Sequence, residues 1–128
     1  MNECPLVAVV DDDESVRESL PDLLRELGFS ATAFSSAEAF LVFERMGQTG
    51  CLVLDVTMPG MSGPDLQKEL VSRGCAIPIV FITAHEGDVI RPRLLARGAV
   101  ACLSKPFSDT TLLAAIKLAL GGPDEPAS

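Results

Sequence analysis

The sequence contains no Trp and no Tyr, a single His and few basic residues. Its 128 residues include 10 Lys and Arg against 18 Asp and Glu, a formal net charge of −8 with the His neutral. Sequence-independent binding of DNA or RNA needs a surplus of basic side chains to replace phosphate counterions, and base stacking needs aromatic rings. The composition therefore argues against direct nucleic-acid binding by this domain.

Long hydrophobic runs are also absent. The most apolar stretch, residues 75–82, is eight residues long and contains Pro78, whereas a membrane-spanning helix needs about 20 apolar residues. The first five residues lack the basic and apolar regions of a secretory signal. We therefore expect no membrane association and a cytoplasmic location.

Cysteine spacing excludes the usual zinc sites. Cys4, Cys51, Cys75 and Cys102 form no Cys-x-x-Cys pair, and none is near the only histidine, His85. We interpret all four cysteines as reduced, small apolar core residues.

Short apolar runs alternate with segments of helical periodicity along the chain. The apolar runs are predicted as strands at residues 6–10, 30–34, 51–54, 77–82 and 100–103. Regular strand–helix alternation predicts an α/β fold with a parallel sheet covered by helices on both faces. We expect one domain over residues 1–120, followed by a flexible tail or linker over residues 121–128, which are rich in Gly and Pro.

Local signals mark several helix boundaries. Ser35 and Glu38 have the spacing of a capping box at the second helix. Pro21 lies within the first helical segment, where it predicts a kink or a later start of the helix. Pro92 is expected in the first turn of the fourth helix, where its missing donor matters less.

Polar residues follow four of the predicted strands. Ligands of open parallel sheets bind beyond the carboxyl ends of the strands, so these residues are the candidates for function. They are Asp11, Asp12 and Asp13 after the first strand, Asp55 after the third, Thr83 after the fourth and Lys105 after the fifth.

Three of these carboxylates favour a divalent cation. If the first and third strands are neighbours, Asp11, Asp12 and Asp55 converge, and each negative charge opposes the ionisation of the others. Mg²⁺ prefers such oxygen ligands and commonly bridges one or two carboxylates to a phosphoryl group. The Lys105 ammonium and the Thr83 hydroxyl suit phosphoryl oxygens.

Asp55 is the candidate nucleophile, because a carboxylate can accept a phosphoryl group as an acyl phosphate. Each residue taken alone also has an ordinary structural interpretation. Asp13 or Ser15 would serve as a helix N-cap, Thr83 as a strand residue and Lys105 as a solvated base. The combination on one edge of the sheet favours function.

The complete pattern resembles the receiver domain of two-component response regulators, from about Leu6 to Leu120. The segments that carry the resemblance are Val9-Val10-Asp11-Asp12, Leu54-Asp55-Val56-Thr57-Met58-Pro59-Gly60-Met61-Ser62-Gly63, Ile82-Thr83-Ala84, Gly98-Ala99 and Lys105-Pro106-Phe107. Residues 36–41 and 105–107 are similar to FixJ-like receivers, which precede a helix-turn-helix output domain.

The resemblance implies a flavodoxin-like fold with strand order 2-1-3-4-5. It also implies that a histidine kinase or phosphotransfer protein supplies a phosphoryl group to Asp55. Mg²⁺ would contact Asp12, Asp55 and the backbone carbonyl of Thr57, with Asp11 acting through water.

Further roles follow from the same resemblance. Lys105 would pair with the phosphoryl group, Thr83 would move inward to donate a hydrogen bond to it, and the Lys105–Pro106 peptide bond would be cis. Thr57 and His85 would lie beside the phosphoryl group and influence its hydrolysis.

The sequence departs from the family at Cys102, where Tyr or Phe is usual and turns inward on activation. Cysteine cannot provide that change of volume, so we expect a weaker switch or one carried by backbone movement. The fourth helix carries Arg91, Arg93 and Arg97, which would either meet a second copy across the helix 4, strand 5 and helix 5 surface on phosphorylation or form a solvated face.

Two other classes of function compete with a signalling receiver. A phosphatase using Asp55 as a turnover nucleophile needs a second acid or base and usually a cap domain, for which the chain has no room. An adaptor that binds partners without phosphorylation would lack the acceptor or the lysine, and both are present. We therefore predict a phosphoacceptor and not a turnover enzyme.

Overall fold

The computed structural model describes residues 5–84 and 87–121, and for residues 87–90 it describes the backbone alone. Of the predicted tail over residues 121–128, residues 122–128 lie outside the described residues. In chain order the elements are β1 (Leu6–Val10), α1 (Glu14–Glu26), β2 (Ser30–Phe34), α2 (Ala37–Leu41), a short 3₁₀ helix (Met46–Gln48), β3 (Cys51–Asp55), α3 (Gly63–Ser72), β4 (Ile79–Thr83), α4 (Gly87–Ala96), β5 (Ala101–Ser104) and α5 (Asp109–Ala119).

The strands form one parallel sheet in the order β2-β1-β3-β4-β5, which confirms the predicted flavodoxin-like topology. The chain adds β2 on one side of β1 and β3 on the other, so the strand order reverses at β1. The register pairs Val10 with Leu54, and the next residues of these two strands, Asp11 and Asp55, continue past the same edge of the sheet. This edge is where the topology favours a ligand site.

Side chains of the strands alternate between two separate cores, as the period of two in a strand requires. Val7, Val9 and Val53 pack with α1 and α5 on one face. Ala8 and Val10 pack on the other face with Phe40 of α2 and with α3 and α4. Burial on both faces explains why β1, β3 and β4 read as nearly continuous apolar segments.

The capping prediction for α2 was wrong by one residue. Ser36 is the N-cap, and its hydroxyl accepts a hydrogen bond from the backbone N–H of Ala39 at 3.1 Å. This offset places Ala37 and Phe40 in the core, where both are fully buried. Glu38 therefore does not have the capping role that its spacing from Ser35 predicted.

Of the two helix-proline predictions, the later start of α1 and the first-turn position of Pro92 are wrong. α1 begins at Glu14 and contains Pro21 in its interior, so the helix does not start late. α4 begins at Gly87, which places Pro92 beyond the first turn. Packing of the buried Leu94 against the core holds this segment in a helix despite the donor that Pro92 lacks.

Three strands differ in their bounds from those predicted, and one of them, β5, is shifted by one residue to Ala101–Ser104. β4 begins at Ile79 instead of residue 77, and it extends to Thr83. β3 likewise includes Asp55. Both polar candidates are therefore the last residues of their strands and are fixed by the sheet itself. Among the described residues, no helix is long and apolar enough to cross a membrane.

Candidate functional site

The carboxyl ends of the central strands bring the predicted site residues to one edge of the sheet. Asp55 is the last residue of β3 and Thr83 the last of β4, and the register places Asp55 opposite Ile82 and Thr83 opposite Ser104. Asp11 follows β1 and Lys105 follows β5. The predicted clustering of polar strand ends is thus a feature of the fold.

Three carboxylates form the centre of this edge. Asp11, Asp12 and Asp55 each offer an oxygen, and these oxygens lie within 4.8 Å of one another. Asp11 is fully buried and Asp55 is 6% exposed, whereas Asp12 is exposed at the rim. Two of the three acidic groups have therefore lost most of their contact with water.

Asp13 has a different role from its two neighbours. Its side chain accepts a hydrogen bond from the backbone N–H of Ser15 at 2.9 Å and caps α1. The N-cap interpretation of Asp13 is therefore the one that the geometry supports, and Asp11 and Asp12 are the acidic pair at the site.

Asp11 is held in place at both carboxylate oxygens. Oδ1 accepts a hydrogen bond from the backbone N–H of Asp13 at 2.9 Å, and Oδ2 accepts one from Nζ of Lys105 at 3.2 Å. The carbonyl of Asp11 accepts from Nη1 of Arg17 at 3.1 Å, and its N–H donates to the carbonyl of Phe34 at 3.2 Å. These contacts join β1, α1, β2 and β5 around one buried acidic residue.

The carboxylate of Asp55 has a longer backbone contact than that of Asp11. Its Oδ1 accepts from the backbone N–H of Thr57 at 3.4 Å, which is long for a hydrogen bond. Burial and the negative charge of Asp11 raise the pKa of Asp55 to about 7, and the opposing effect of the Lys105 ammonium is smaller. Asp55 therefore resists ionisation at neutral pH.

Lys105 joins β5 to both neighbouring parts of the site. Its backbone N–H donates to the carbonyl of Thr83 at 2.8 Å, and its ammonium reaches Asp11. The Lys105–Pro106 peptide bond is cis, as the resemblance implied. Thr83 is 5% exposed at the end of β4. This strand lies between β3, which ends at Asp55, and β5, which leads to Lys105.

Residues 56–62 form the loop that follows Asp55 at this edge of the sheet and leads into α3. Gly63, the first residue of α3, donates its N–H to the carbonyl of Val56 at 3.0 Å. A Cβ at Gly63 would overlap the carbonyl oxygen of Asp55 and lie 3.0 Å from the ring of Phe81. Thr57 is exposed on this loop, and its side chain is open to solvent beside the acidic group.

Cys102 occupies a core position of β5 and is 4% exposed. Its thiol packs in the cluster with Phe81 and Leu94, and burial raises its pKa above the usual range. The carbonyl of Cys102 accepts a hydrogen bond from Nε of Arg91 in α4 at 3.0 Å. His85, the other predicted modulating residue, lies outside the described residues.

One contact near the site was missed by sequence reasoning. Glu38 Oε2 accepts a hydrogen bond from the backbone N–H of Met61, in the loop after Asp55, at 3.2 Å. Its partner is 23 residues away in the sequence, and the only local signal, the spacing from Ser35, pointed to a cap.

The donor set fits a small hard cation. Three carboxylates converge, and the one ammonium that contacts them among the described residues belongs to Lys105. Oxygen ligands of this kind suit Mg²⁺, which usually takes one or two carboxylates and keeps several waters. The carboxylates of Asp11, Asp12 and Asp55 would hold the ion.

Comparison with known proteins identifies the class. Residues 7–117 match the family model described as the response regulator receiver domain. This match covers most of the chain, so the chain belongs to that family of two-component signalling domains.

Within this family, the chain is similar to several response regulators. The chain is 43% identical over 115 residues to the response regulator protein TodT of Pseudomonas putida, covering 90% of this chain and 51% of TodT. The solved structure of the response regulator StyR has 50% identity and a TM-score of 0.85, covering 92% of this chain and 60% of that one. FixJ-N superposes with a TM-score of 0.84 at 36% identity and covers 99% of both chains. The chain spans about half the length of the curated relatives it matches.

Proposed function

We propose that this receiver domain accepts a phosphoryl group on Asp55 in a Mg²⁺-dependent reaction and thereby switches its interaction with a partner or output domain. The observation that supports this most strongly is the convergence of Asp11, Asp12 and Asp55 with the Lys105 ammonium at one edge of the sheet. A carboxylate cluster with one nearby cation is suited to binding a divalent ion and then a further anion.

Asp55 is the better acceptor among the three carboxylates. Both oxygens of Asp11 already accept hydrogen bonds, one from a backbone N–H and one from Lys105, and the residue is fully buried. Asp12 lies at the exposed rim. Asp55 ends β3, the strand between β1 and β4, and its Oδ1 accepts a long hydrogen bond from the Thr57 N–H.

In the proposed transfer, a carboxylate oxygen of Asp55 attacks the phosphorus of a phosphohistidine in a sensor kinase or phosphotransfer protein. The new P–O bond forms as the P–N bond breaks, and the leaving imidazole is neutral once it takes up a proton. Bound Mg²⁺ would neutralise charge on the phosphoryl oxygens and on the acidic groups. Lys105 would balance the remaining charge, and the Thr83 hydroxyl would donate a hydrogen bond to the transferred group.

The same proposal covers the rest of the signalling cycle. Thr57, exposed beside Asp55, and His85 would influence attack by water on the acyl phosphate. Cys102 lies at the usual aromatic position and packs in the core without an aromatic ring, so the signal would reach the α4, β5 and α5 surface through backbone movement. A second copy would dock there on phosphorylation, close to Arg91, Arg93 and Arg97.

The setting of the domain follows from the same reasoning. We propose a cytoplasmic signalling protein in which residues 1–120 form the receiver and residues 121–128 lead away from it. With a net charge of −8, the receiver itself would not bind nucleic acid.

The test is incubation with a small phosphodonor such as acetyl phosphate, followed by intact-mass measurement. With Mg²⁺ the wild-type chain should gain about 80 Da, the mass of one phosphoryl group, and with EDTA it should gain none. Asp55→Asn should gain none in either case.

Asp13→Asn is the matched control, because Asn preserves the cap of α1 and the substituted residue lies next to the acidic pair. It should be modified like the wild type. An equal mass gain in Asp55→Asn would contradict the proposal.

A further inference from the structure

Glu38 connects α2 to the loop that follows Asp55. Its Oε2 accepts a hydrogen bond from the backbone N–H of Met61 at 3.2 Å. This contact joins a side chain of α2 to the backbone of the loop over residues 56–62, which also contains Thr57.

The neighbouring glycine shows how closely the carboxylate lies against this loop. Gly60 has φ +75°, and a Cβ built there would be 3.1 Å from Oε2 of Glu38. Glu38 therefore lies against two successive residues of the turn, Gly60 and Met61. A side chain at residue 60 would oppose both the backbone conformation and the approach of the carboxylate.

Both ends of this loop are fixed by other contacts. At the start, the Thr57 N–H donates to Asp55. At the end, the Gly63 N–H donates to the carbonyl of Val56, and Ser62 caps α3. The middle of the loop, at Pro59 and Gly60, is exposed, and there Glu38 supplies a contact from outside the loop.

The base of Glu38 is itself rigidly placed. Ser36 caps α2, and Ala37 and Phe40 on either side of Glu38 are fully buried. The ring of Phe40 packs edge-to-face on Phe34 of β2 with centroids 5.5 Å apart. The carboxylate thus extends from a fixed helix and can transmit that fixed position to the loop.

We propose that Glu38 is a positioning residue for the metal site: its hydrogen bond to Met61 holds the loop so that the Thr57 carbonyl faces the acidic group. This inference rests on the proposed function, because it assigns Glu38 an effect on Mg²⁺ affinity. Glu38 does not touch the ion, and its effect passes through the backbone of residues 57–61.

The experiment compares Glu38→Ala with Glu38→Gln and with Glu44→Ala in the full chain. Gln keeps an oxygen that can accept from the Met61 N–H, whereas Ala does not. Glu44 is another exposed glutamate, so Glu44→Ala removes the same charge and controls for long-range electrostatics. The readouts are the Kd for Mg²⁺ by calorimetry and the hydrogen exchange rate of the Met61 amide by NMR.

In Glu38→Ala we expect the Mg²⁺ Kd to rise about threefold to tenfold, the size of effect that one net hydrogen bond supplies, and the Met61 amide to exchange faster. Glu38→Gln and Glu44→Ala should stay within about twofold of the wild type. An unchanged Kd in Glu38→Ala, or an equal loss in Glu38→Gln, would overturn the inference.

Failure of the proposed function has a different signature. A wild-type chain that binds Mg²⁺ no better than the Asp12→Ala variant run beside it would contradict the proposed function and this inference together. Mg²⁺ binding by the wild type with no difference in Glu38→Ala would contradict the inference alone.

Discussion

The ammonium of Lys105 lies 3.2 Å from Oδ2 of Asp11, a contact across 94 residues of sequence that joins the end of β5 to the end of β1. Asp11 is fully buried, and the Lys105 side chain is 24% exposed. A buried carboxylate requires a partner, because an unpaired charge in the interior is costly. The pair therefore stabilises the fold as well as preparing the site for an anion.

Replacing Lys105 with Met should show this double role. We expect the free energy of unfolding at neutral pH to fall by about 1–3 kcal/mol, because the buried Asp11 loses a charged partner that is itself partly solvated. The pKa of Asp55 should rise further, because the Lys105 charge lowers it in the wild type. Urea unfolding and NMR titration of the Asp55 carboxyl provide the measurements.

Lys105→Arg keeps the positive charge and serves as the control for Lys105→Met. Equal stability of Lys105→Met and wild type across pH 5–8 would show that the ion pair contributes nothing.

The raised pKa of Asp55 predicts a characteristic pH dependence in the metal-free protein. Between the ordinary carboxyl pKa of about 3.9 and the folded value of about 7, the folded state holds a proton that the unfolded state has released. Stability should therefore fall as pH rises through this window and level off above it.

Asp55→Asn is neutral at every pH and should lack this fall. In EDTA above pH 7 it should be more stable than the wild type by on the order of 1–4 kcal/mol. Chemical unfolding at a series of pH values measures the difference in stability. Parallel pH profiles for the two proteins would contradict the raised pKa of Asp55.

The roles of Asp12 and Asp13 should separate cleanly. Asp12 belongs to the acidic group, so Asp12→Ala should weaken Mg²⁺ binding by at least about tenfold with little change in stability. Asp13 caps α1, so Asp13→Ala should cost about 1 kcal/mol of stability and leave Mg²⁺ affinity nearly intact. Calorimetric titration and thermal unfolding of both variants test this, and the reverse order of affinities would reject it.

The buried cysteines should be chemically inert in the folded protein. Burial raises the pKa of Cys51 to about 12 and that of Cys102 above the usual range, and the thiolate is the reactive form. Iodoacetamide at pH 8 should leave both unmodified while Cys75, which is partly exposed, reacts. Peptide mass mapping with and without urea gives the comparison, and rapid labelling of Cys102 without urea would contradict its burial in the folded protein.

Much of the fold could be predicted because its signals are local. The spacing of the apolar residues predicts all five strands. Because ligands of parallel sheets bind at the carboxyl ends of the strands, Asp55, Thr83 and Lys105 are predicted at one edge. The α2 cap could not be fixed locally, because the spacing of Ser35 and Glu38 favoured the serine that is not the cap. The choice depends on which offset buries Phe40.

Features that depend on distant parts of the chain were beyond sequence reasoning. The pairing of Lys105 with Asp11 and the contact of Glu38 with Met61 both arise from how elements far apart in sequence pack together. Pro92 is a related case. Its local preference predicts the first turn of a helix, whereas the start of α4 depends on the burial of Leu94 against the core.

The most direct test of phosphoryl transfer to Asp55 is chemical location of the modified residue. The chain is phosphorylated in the presence of Mg²⁺, and borohydride then reduces the acyl phosphate to the alcohol, which converts a modified aspartate to homoserine. Peptide sequencing by mass spectrometry should find homoserine at position 55 and nowhere else. Homoserine at position 11 or 12, or its absence from a chain that has gained a phosphoryl group, would contradict the assignment of Asp55 as the acceptor.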